Sequence, residues 1–373
     1  MSLESVTDLA TAARPQICAI GNQSMDESAR RRIREIKSNI EAMLVERQTL
    51  RDPGAPPSSY WTDFCSAFDY MLGLPESAFL KLRIHTYHFT AETYQTYYFG
   101  NADRFWAANH VTELTRGIPP GLVINEPAGG IGFHYPCGRF LSEDTIRFQK
   151  VINTLYRSGI IGPLRERKAS TVLEIGAGYG GLAHHISQVL PGVHYLIVDL
   201  PESLLFSAAY LTLQNPGKRI YLYEPTDDTE VTLSRIRNGA FDFALFPNYK
   251  IGVLRPLSFD LVLNTASLQE MKADQVERYL DFIRDTCAGV FYSRNQDRQP
   301  RNRELVSLNS MMRSRFQMTE IPEWRARVGA GSAVKRYVRS AARSLAVTLG
   351  LMPSASKEED NPYRQFISTP LRS

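Results

Sequence analysis

Residues 171–181 read TVLEIGAGYGG, and this stretch decides the fold of the chain. Val172, Leu173 and Ile175 form a short apolar run typical of a buried strand, and the glycines after it predict a tight turn. A helical pattern follows over residues 182–190. Strand, glycine turn and helix make the first βα unit of a nucleotide-binding sheet, because glycine lets the backbone turn sharply and lie against a ligand. We therefore expect a ligand at the N-terminus of this helix.

The spacing of the glycines admits two classes of ligand. Gly176, Gly178 and Gly181 also satisfy the dinucleotide pattern G-x-G-x-x-G, so the turn alone does not separate a nicotinamide cofactor from other nucleosides. The choice has to come from residues outside the turn.

Three features outside these glycines narrow the choice. Glu174 stands two residues before the first glycine, Asp199 ends the next apolar run, and residues 261–271 read LVLNTASLQEM. In this order they resemble the class I S-adenosylmethionine-dependent methyltransferases, and within them the sugar O-methyltransferase group. The resemblance covers roughly residues 60–323, the size of one such domain with its cap.

The resemblance implies an α/β fold, with a Rossmann-like class I methyltransferase sheet and an N-terminal helical cap. It also implies S-adenosyl-L-methionine as the cofactor. The residues expected to bind this donor are Glu174, Gly176, Ala177, Gly178, Gly180, Asp199, Leu200, Asn248 and Asn264. Asp199 follows from position as well, because an acidic residue about twenty residues beyond such a turn accepts hydrogen bonds from ribose hydroxyls. Asn248 is expected near the adenine amine.

The chain divides into four segments at changes of composition. Residues 1–59 are an N-terminal extension whose end, RDPGAPPSS at 51–59, reads as a linker. Residues 60–165 are rich in aromatic side chains at helical spacing and predict the cap, in which residues 124–140 form a glycine-rich loop. The donor-binding domain spans residues 166–323, and residues 324–373 form a basic C-terminal segment.

Composition excludes several classes of protein. Apolar residues make up 43% of the 373 residues and charged residues 22%, which is ordinary for a globular protein, and no run is apolar enough for a membrane span. The start of the chain lacks the pattern of a secretory leader, so we expect a cytoplasmic protein. Four scattered cysteines predict neither a zinc site nor disulfides, and a net charge of +4 requires no nucleic-acid partner.

The third strand of the sheet has two candidates. Residues 219–224 and 241–247 both have strand character, and we favour the second because it lies one ordinary connection before the strand at 259–264. The other candidate then becomes an edge or inserted strand. Residues 317–324 and 363–369 are candidates for short closing strands.

Two residues are candidates for the base that removes a hydroxyl proton. Glu270 follows the fourth strand, at the edge where open α/β sheets bind ligands, and His134 lies in the glycine-rich loop. The alternative interpretation of Glu270 is a charge at a helix N-terminus, and that of the loop is a structural crossover. Asp227 and Asp228 form an acidic pair that allows a divalent metal, but a solvated turn is favoured and no metal is predicted.

The C-terminal segment carries an amphipathic basic helix. Residues 325–351 contain six basic residues and no acidic residue. Apolar residues recur at helical spacing on the helix face opposite the basic side chains. Packing on the domain is the favoured interpretation, and the alternative is peripheral contact of residues 333–350 with an anionic membrane or polymer.

The favoured function is methyl transfer from S-adenosylmethionine to a hydroxyl of a sugar or glycan. Alternatives are an NAD(P)-dependent oxidoreductase, an O-methyltransferase of a non-sugar small molecule, a nucleic-acid methyltransferase and a non-catalytic binding module. The chain lacks a Y-x-x-x-K arrangement, which disfavours a short-chain dehydrogenase, and Asn264 is followed by Thr265 and Ala266 rather than the two prolines typical of base-methylating enzymes. The residues predict neither which sugar is the acceptor nor the oligomeric state.

Overall fold

The computed structural model describes residues 16–17, 25–52, 54–90, 108–135, 137–299, 302, 304–305, 307–322 and 363–371. Its centre is one eight-stranded sheet, and a smaller three-stranded sheet lies in the N-terminal part. The predicted C-terminal amphipathic helix and part of the aromatic-rich cap segment lie outside the described residues.

Helices and short strands make up the N-terminal part. In chain order its elements are β1 (Gln16–Ile17), α1 (Glu27–Thr49), α2 (Ser59–Ala67), α3 (Tyr70–Gly73), a 3-10 helix (Glu76–His85), α4 (Tyr87–Thr90), α5 (Ala108–Thr115), a 3-10 turn (Pro120–Leu122), β2 (Ile131–His134), β3 (Phe140–Leu141), α6 (Glu143–Arg157) and α7 (Ile161–Glu166). Strands β1, β2 and β3 form the small antiparallel sheet. Helix α6 is capped by Ser142, whose side chain accepts a hydrogen bond from the Thr145 N–H.

The remaining elements alternate between strands and helices. They are β4 (Ser170–Ile175), α8 (Gly181–Val189), β5 (Val193–Asp199), α9 (Pro201–Gln214), β6 (Ile220–Leu222), α10 (Thr229–Arg237), β7 (Phe243–Pro247), a 3-10 turn (Asn248–Leu254), β8 (Phe259–Thr265), a 3-10 turn (Leu268–Glu270), α11 (Ala273–Thr286), β9 (Cys287–Asn295), α12 (Leu308–Arg313), β10 (Phe316–Ile321) and β11 (Arg364–Pro370). This alternation is the pattern of a βα sheet, as the sequence predicts.

The large sheet has the order β10-β11-β9-β8-β4-β5-β7-β6. Strands β6, β7, β5, β4, β8 and β9 run parallel, and β11 pairs antiparallel with both β9 and β10. The chain reverses direction of winding between β4 and β8, and their carboxyl ends define the switch point where open sheets bind ligands. This topology confirms the predicted Rossmann-like sheet.

The ambiguity over the third strand is resolved in favour of residues 241–247. Strand β7 pairs with β5, from Tyr195 opposite Phe243 to Asp199 opposite Pro247, and β6 is the edge strand beyond it. Both closing strands are present as well. Because β11 lies inside the sheet, the predicted boundary at residue 323 does not separate the C-terminal segment from the domain.

Helix α1, in the predicted N-terminal extension, packs into the main hydrophobic core of the domain. Ile33, Ile36, Ile40 and Met43 on α1 are almost completely buried and join the main hydrophobic core, where α1 packs along α9. Helical spacing of the four side chains places them on one face, so α1 hides an apolar stripe and exposes its charges. Arg47 adds a bidentate ion pair to Glu202, with N–O distances of 2.9 and 2.6 Å.

The predicted linker is also held against the domain by side-chain contacts. Asp52 pairs with Arg278 of α11 at 2.6 Å, and Ser58 Oγ donates to the backbone oxygen of Glu270 at 2.6 Å. Through these contacts, residues 51–52 and 54–59 pack against the domain.

Among the described residues, no helix combines the length and the apolar composition that crossing a bilayer requires.

Candidate functional site

A cavity of about 310 Å³ opens at the carboxyl ends of β4, β5 and β8, between the sheet and the N-terminal helices. Its size lies within the usual range for small-molecule sites. From the sheet it is lined by the glycine turn, by the residues that end β5 and by the segment that follows β8. From the N-terminal part it is lined by Trp61 of α2, by α4 and by one face of α6. The ligand site predicted at the glycine turn therefore coincides with a cavity in the structure.

The glycine turn lies in close contact with its surroundings on two sides. Gly176 and Gly178 have φ of +74° and +57°, a conformation that side chains other than glycine rarely adopt. A Cβ on Gly176 would overlap Ser267 Oγ of the segment after β8, and one on Gly178 would lie 3.3 Å from the ring of Phe89. Gly180 has a different role, since it begins α8 and packs against Ser207 rather than lining the cavity.

Asp199 is fixed by the turn it faces. Its Oδ2 accepts a hydrogen bond from the Gly178 N–H at 2.9 Å, and its Oδ1 accepts one from the Leu200 N–H at 2.8 Å. Burial raises the pKa of this carboxyl to about 7, although the two backbone donors act in the opposite direction. The Ser203 side chain also donates a hydrogen bond to this carboxyl, so of its roughly four acceptor positions about one remains for a ligand hydroxyl.

Glu174 is buried in the strand itself. Its Oε2 accepts a hydrogen bond from the Tyr195 hydroxyl at 2.7 Å, and burial raises its pKa to about 8, with a smaller contribution from the charge of Asp199. It lines the cavity together with Gly176 and Ala177.

Glu270 connects the sheet to the N-terminal helices. Its Oε2 accepts a hydrogen bond from Trp61 Nε1 at 3.0 Å, and burial raises its pKa to about 8. The turn that carries it bends at Ala266, whose φ of +61° is the only positive value of a non-glycine residue in the described part of the chain. Strained backbone of this kind is concentrated at functional sites.

Asn264 does not reach the cavity, which corrects the expectation that it binds the donor. It is completely buried, and its Nδ2 donates to the Ile175 carbonyl at 2.8 Å and to Ser267 Oγ at 2.6 Å. Its Oδ1 accepts from Asn295 Nδ2 at 2.8 Å. With donors and acceptor used, Asn264 holds the ends of β4, β8 and β9 in register beneath the cavity.

Asn248 lines the cavity and keeps one acceptor available. Its Nδ2 donates to the carbonyls of Gly54 and Ala55, at 3.1 Å each. Its Oδ1 is buried and has no hydrogen-bond partner among the described residues. A buried acceptor without a partner costs free energy, so this oxygen is suited to accept from a ligand N–H.

His134 is not brought to this site, which corrects its pairing with Glu270. It is the last residue of β2 in the small sheet, it is exposed, and its ring lies 4.9 Å from that of Phe140. Part of the glycine-rich loop forms the antiparallel strands β2 and β3, and His134 is not among the residues that line the cavity.

His88 also lines the cavity, from α4, although it is not among the site residues predicted from the sequence. Its Nδ1 is buried without a partner among the described residues, and burial lowers its pKa, so the ring is neutral near pH 7. The aromatic-rich composition around it concealed this residue, because a histidine among aromatic residues reads as core packing.

Asp227 and Asp228, the acidic pair considered as metal ligands, both make hydrogen bonds within the protein. Asp228 caps α10 by accepting from the Val231 N–H at 2.9 Å, and Asp227 accepts from the Tyr221 hydroxyl at 2.8 Å. Within the described residues no group of three or more histidine, cysteine or acidic side chains is arranged to hold a metal ion.

Comparison with known proteins leaves the family unassigned by sequence: no protein-family model and no curated protein matches the chain. Solved structures do resemble it. The YcgJ protein from Bacillus subtilis is 16% identical over 58% of this chain and 97% of its own, with a TM-score of 0.34. Phosphoethanolamine N-methyltransferase 2 from Haemonchus contortus, solved with S-adenosyl-L-methionine, is 12% identical over 58% of this chain and 52% of its own, with a TM-score of 0.31.

A third structure, the [4+2]-cyclase SpnF, is 14% identical over 60% of this chain and 84% of its own, with a TM-score of 0.34. Resemblances this distant do not transfer a substrate or a reaction. The fold assignment therefore depends on the strand order, and the function on the residues of the cavity.

Proposed function

We propose that this protein transfers a methyl group from S-adenosylmethionine to a hydroxyl group of a sugar or glycan. One observation carries the proposal: three carboxyl groups with raised pKa values line one cavity, the buried Glu174 and the half-buried Asp199 and Glu270, and none forms an ion pair within the described part of the chain. A donor with a positively charged sulfonium and an ammonium group complements them. The negatively charged pyrophosphate of a nicotinamide dinucleotide would be repelled by the same groups.

The order of the strands arranges the donor-binding residues along the sheet edge. Asn248 follows β7, Asp199 ends β5, and Glu174 lies in β4, so the three residues occupy successive adjacent strands. Asn248 Oδ1 would accept from the adenine amine, Asp199 from the ribose hydroxyls, and Glu174 with the glycine turn would hold the amino acid end. Neighbouring strands are about 4.8 Å apart, so this edge is long enough for an extended nucleoside.

Bound there, the donor supplies an activated methyl group, so the protein mainly has to orient the acceptor and accept its proton. Glu270 is the residue we assign to proton removal. It lies in the segment after β8, which lines the cavity next to the glycine turn. A pKa of about 8 suits a base that works near neutral pH. The Trp61 N–H fixes its carboxyl and thereby couples the base to the helices that cover the acceptor.

The nicotinamide-dependent oxidoreductase remains the main rival, since the glycine spacing fits both. In the dinucleotide-binding sheet, the strand order 3-2-1-4-5-6 places another parallel strand beyond the fifth. Here the strand next to β9 is β11, which runs antiparallel to it and pairs with β10. Calorimetry with S-adenosylhomocysteine and with NADH separates the two functions. Binding of NADH but not of S-adenosylhomocysteine would overturn the proposal, and a panel of sugar and non-sugar hydroxyl compounds then tests the acceptor.

Replacing Asp199 by alanine should weaken binding of the donor by about 1.5 to 3 kcal/mol, the range for hydrogen bonds to a charged group. The substitution removes the ribose acceptors and also the two contacts that fix the turn. Isothermal titration with S-adenosylhomocysteine measures the loss, with Asp242→Ala, at the opposite end of the sheet, as control. A change below a few tenths of a kcal/mol would mean that the ribose is held elsewhere.

Affinity for S-adenosylmethionine should rise between pH 6 and pH 7.5. A carboxyl group is neutral below its pKa, and the pKa values of Asp199 and Glu174, which are assigned to the donor, are raised to about 7 and about 8. Binding of a cationic donor at pH 6 must therefore release protons from these carboxyl groups. One released proton corresponds to about a tenfold change in affinity per pH unit. S-adenosylhomocysteine, which lacks the sulfonium charge, should show a smaller rise.

Proton release is measured by titration in two buffers of different ionisation enthalpy. An affinity that stays constant or falls over this range would contradict the assignment of the donor to these carboxyl groups.

A further inference from the structure

Two aromatic side chains of the N-terminal helices connect the glycine turn to Glu270. A Cβ on Gly178 would lie 3.3 Å from the ring of Phe89, and the centre of that ring lies 5.9 Å from the centre of the Trp61 ring. Trp61 Nε1 donates to Glu270 Oε2 at 3.0 Å. Both aromatic residues line the cavity, and both are half-buried. An aromatic pair therefore spans the cavity wall between the donor turn and the assigned base.

The aromatic pair is anchored in the hydrophobic core. Phe89 stacks on Phe68, with ring centres 5.3 Å apart and an interplanar angle of 27°, and it meets Phe206 edge to face at 5.0 Å. Phe68 and Phe206 are almost completely buried. Trp61 is restrained as well, by an edge contact with Phe64 at 5.4 Å and by the hydrogen bond of its N–H. A surface held in this way does not have to be ordered when a ligand binds, which lowers the entropic cost of binding.

The hydrogen bond between Trp61 and Glu270 restricts where an acceptor can lie. Proton transfer requires the acceptor hydroxyl to lie within about 2.6 to 3.2 Å of a carboxylate oxygen of Glu270. Because the Trp61 N–H is bonded to the same carboxylate, the ring atoms that carry the hydroxyl are brought close to the indole. The hydroxyl must also face the donor at the glycine turn, and Phe89 is the aromatic residue on that side.

We propose that Trp61, supported by Phe89, is the platform on which the acceptor ring stacks. A pyranose presents several C–H groups on one face of its ring and hydroxyl groups around its rim. The C–H face buries apolar area against the indole, while the rim leaves a hydroxyl for Glu270. This inference rests on the proposed function and narrows its substrate class to closed-ring sugars with one apolar face.

The test uses the full chain saturated with S-adenosylhomocysteine and matched ligands that differ in the ring. Methyl pyranosides of galactose, glucose and mannose are compared with the open-chain alditols of the same sugars, which carry hydroxyl groups but no ring face. Calorimetry should show that at least one methyl pyranoside binds about 10-fold or more tightly than its alditol. Equal binding of ring and alditol, or no binding of any of the pyranosides, would overturn the inference.

The Trp61→Leu variant should weaken binding of that pyranoside about 10- to 100-fold, the effect of removing an aromatic anchor from a binding site. Trp61→Phe keeps a ring and loses the N–H, so it should retain most of the sugar affinity. Tyr70→Leu is the control, because Tyr70 is an exposed aromatic residue of the N-terminal helices and is not among the residues that line the cavity. Unchanged sugar affinity in Trp61→Leu would show that the acceptor does not stack there.

Titration with S-adenosylhomocysteine separates the platform from other roles of Trp61. In Trp61→Leu the affinity for S-adenosylhomocysteine should stay close to the wild-type value while the sugar affinity falls. An equal loss of both affinities would mean that Trp61 covers the donor or only holds the N-terminal helices in place, and the inference would be wrong. Failure of the proposed function is recognised separately, because the wild-type protein would then show no binding of S-adenosylhomocysteine.

Discussion

The Glu270→Gln variant should bind S-adenosylmethionine almost as tightly as the wild-type protein and lose turnover by about 10² to 10⁴-fold, the usual contribution of a general base. A sugar hydroxyl is too weak an acid to ionise alone near neutral pH, so proton acceptance limits the reaction. Glutamine still offers an oxygen to Trp61, so the N-terminal helices should stay in place. Initial rates of S-adenosylhomocysteine formation on a verified acceptor measure the loss.

The pH profile gives a second measure of the same assignment. Because burial raises the pKa of Glu270 to about 8, turnover of the wild type should rise from pH 6 toward pH 8 as the carboxyl ionises. Glu230→Gln, which changes an exposed glutamate on α10, is the control and should leave the profile unchanged. His134→Ala should also retain turnover, since His134 is exposed on the small sheet.

Retention of turnover in Glu270→Gln combined with its loss in His88→Ala would transfer the role of base to His88. That ring lines the same cavity and is neutral near pH 7, so the two outcomes are chemically distinct. Near-normal turnover in both variants would leave the proposed mechanism without its base.

Replacing Gly178 by valine should abolish binding of the donor without unfolding the protein. At a φ of +57° a β-branched residue is strained, and its Cβ would lie 3.3 Å from the ring of Phe89, at the wall of the cavity. The added side chain would occupy space that the donor needs. Titration with S-adenosylhomocysteine should show a loss of affinity of about 100-fold or more, because the added side chain excludes the donor.

Gly217→Val provides a matched control for this variant. Gly217 also has a positive φ, +90°, but a Cβ there would meet nothing within 4 Å, so the substitution imposes backbone strain away from the cavity. Gly217→Val should keep full affinity. Unchanged affinity in Gly178→Val, with its circular dichroism intact, would contradict the placement of the donor at the glycine turn.

Local chemistry explains which features the sequence predicts. A buried apolar run, four glycines and a helical pattern require a strand, a turn and a helix, and their repetition with acidic residues at the strand ends determines a βα sheet. Glu174, Asp199 and Glu270 follow from that topology, because the carboxyl ends of parallel strands meet at one edge. The cavity lining includes all three.

Residues whose role depends on distant partners could not be assigned in this way. Asn264 lies near the end of β8 and Asn248 directly follows β7, so the two look alike in sequence. Asn264 nevertheless uses its amide within the sheet, whereas Asn248 keeps a buried oxygen for a ligand. His134 and His88 also look alike, and only the folding of the glycine-rich loop into β2 and β3 removes the first from the cavity.

The sequence by itself thus determined the sheet, the glycine turn and the acidic residues of the donor end, because these depend on neighbours along the chain. Only tertiary contacts bring Pro57, Ser58 and His88 to the cavity and bury Asn264 within the sheet. The physical reason is that each of these contacts joins residues far apart in the chain, and hydrophobic periodicity carries no information about which distant surfaces will meet.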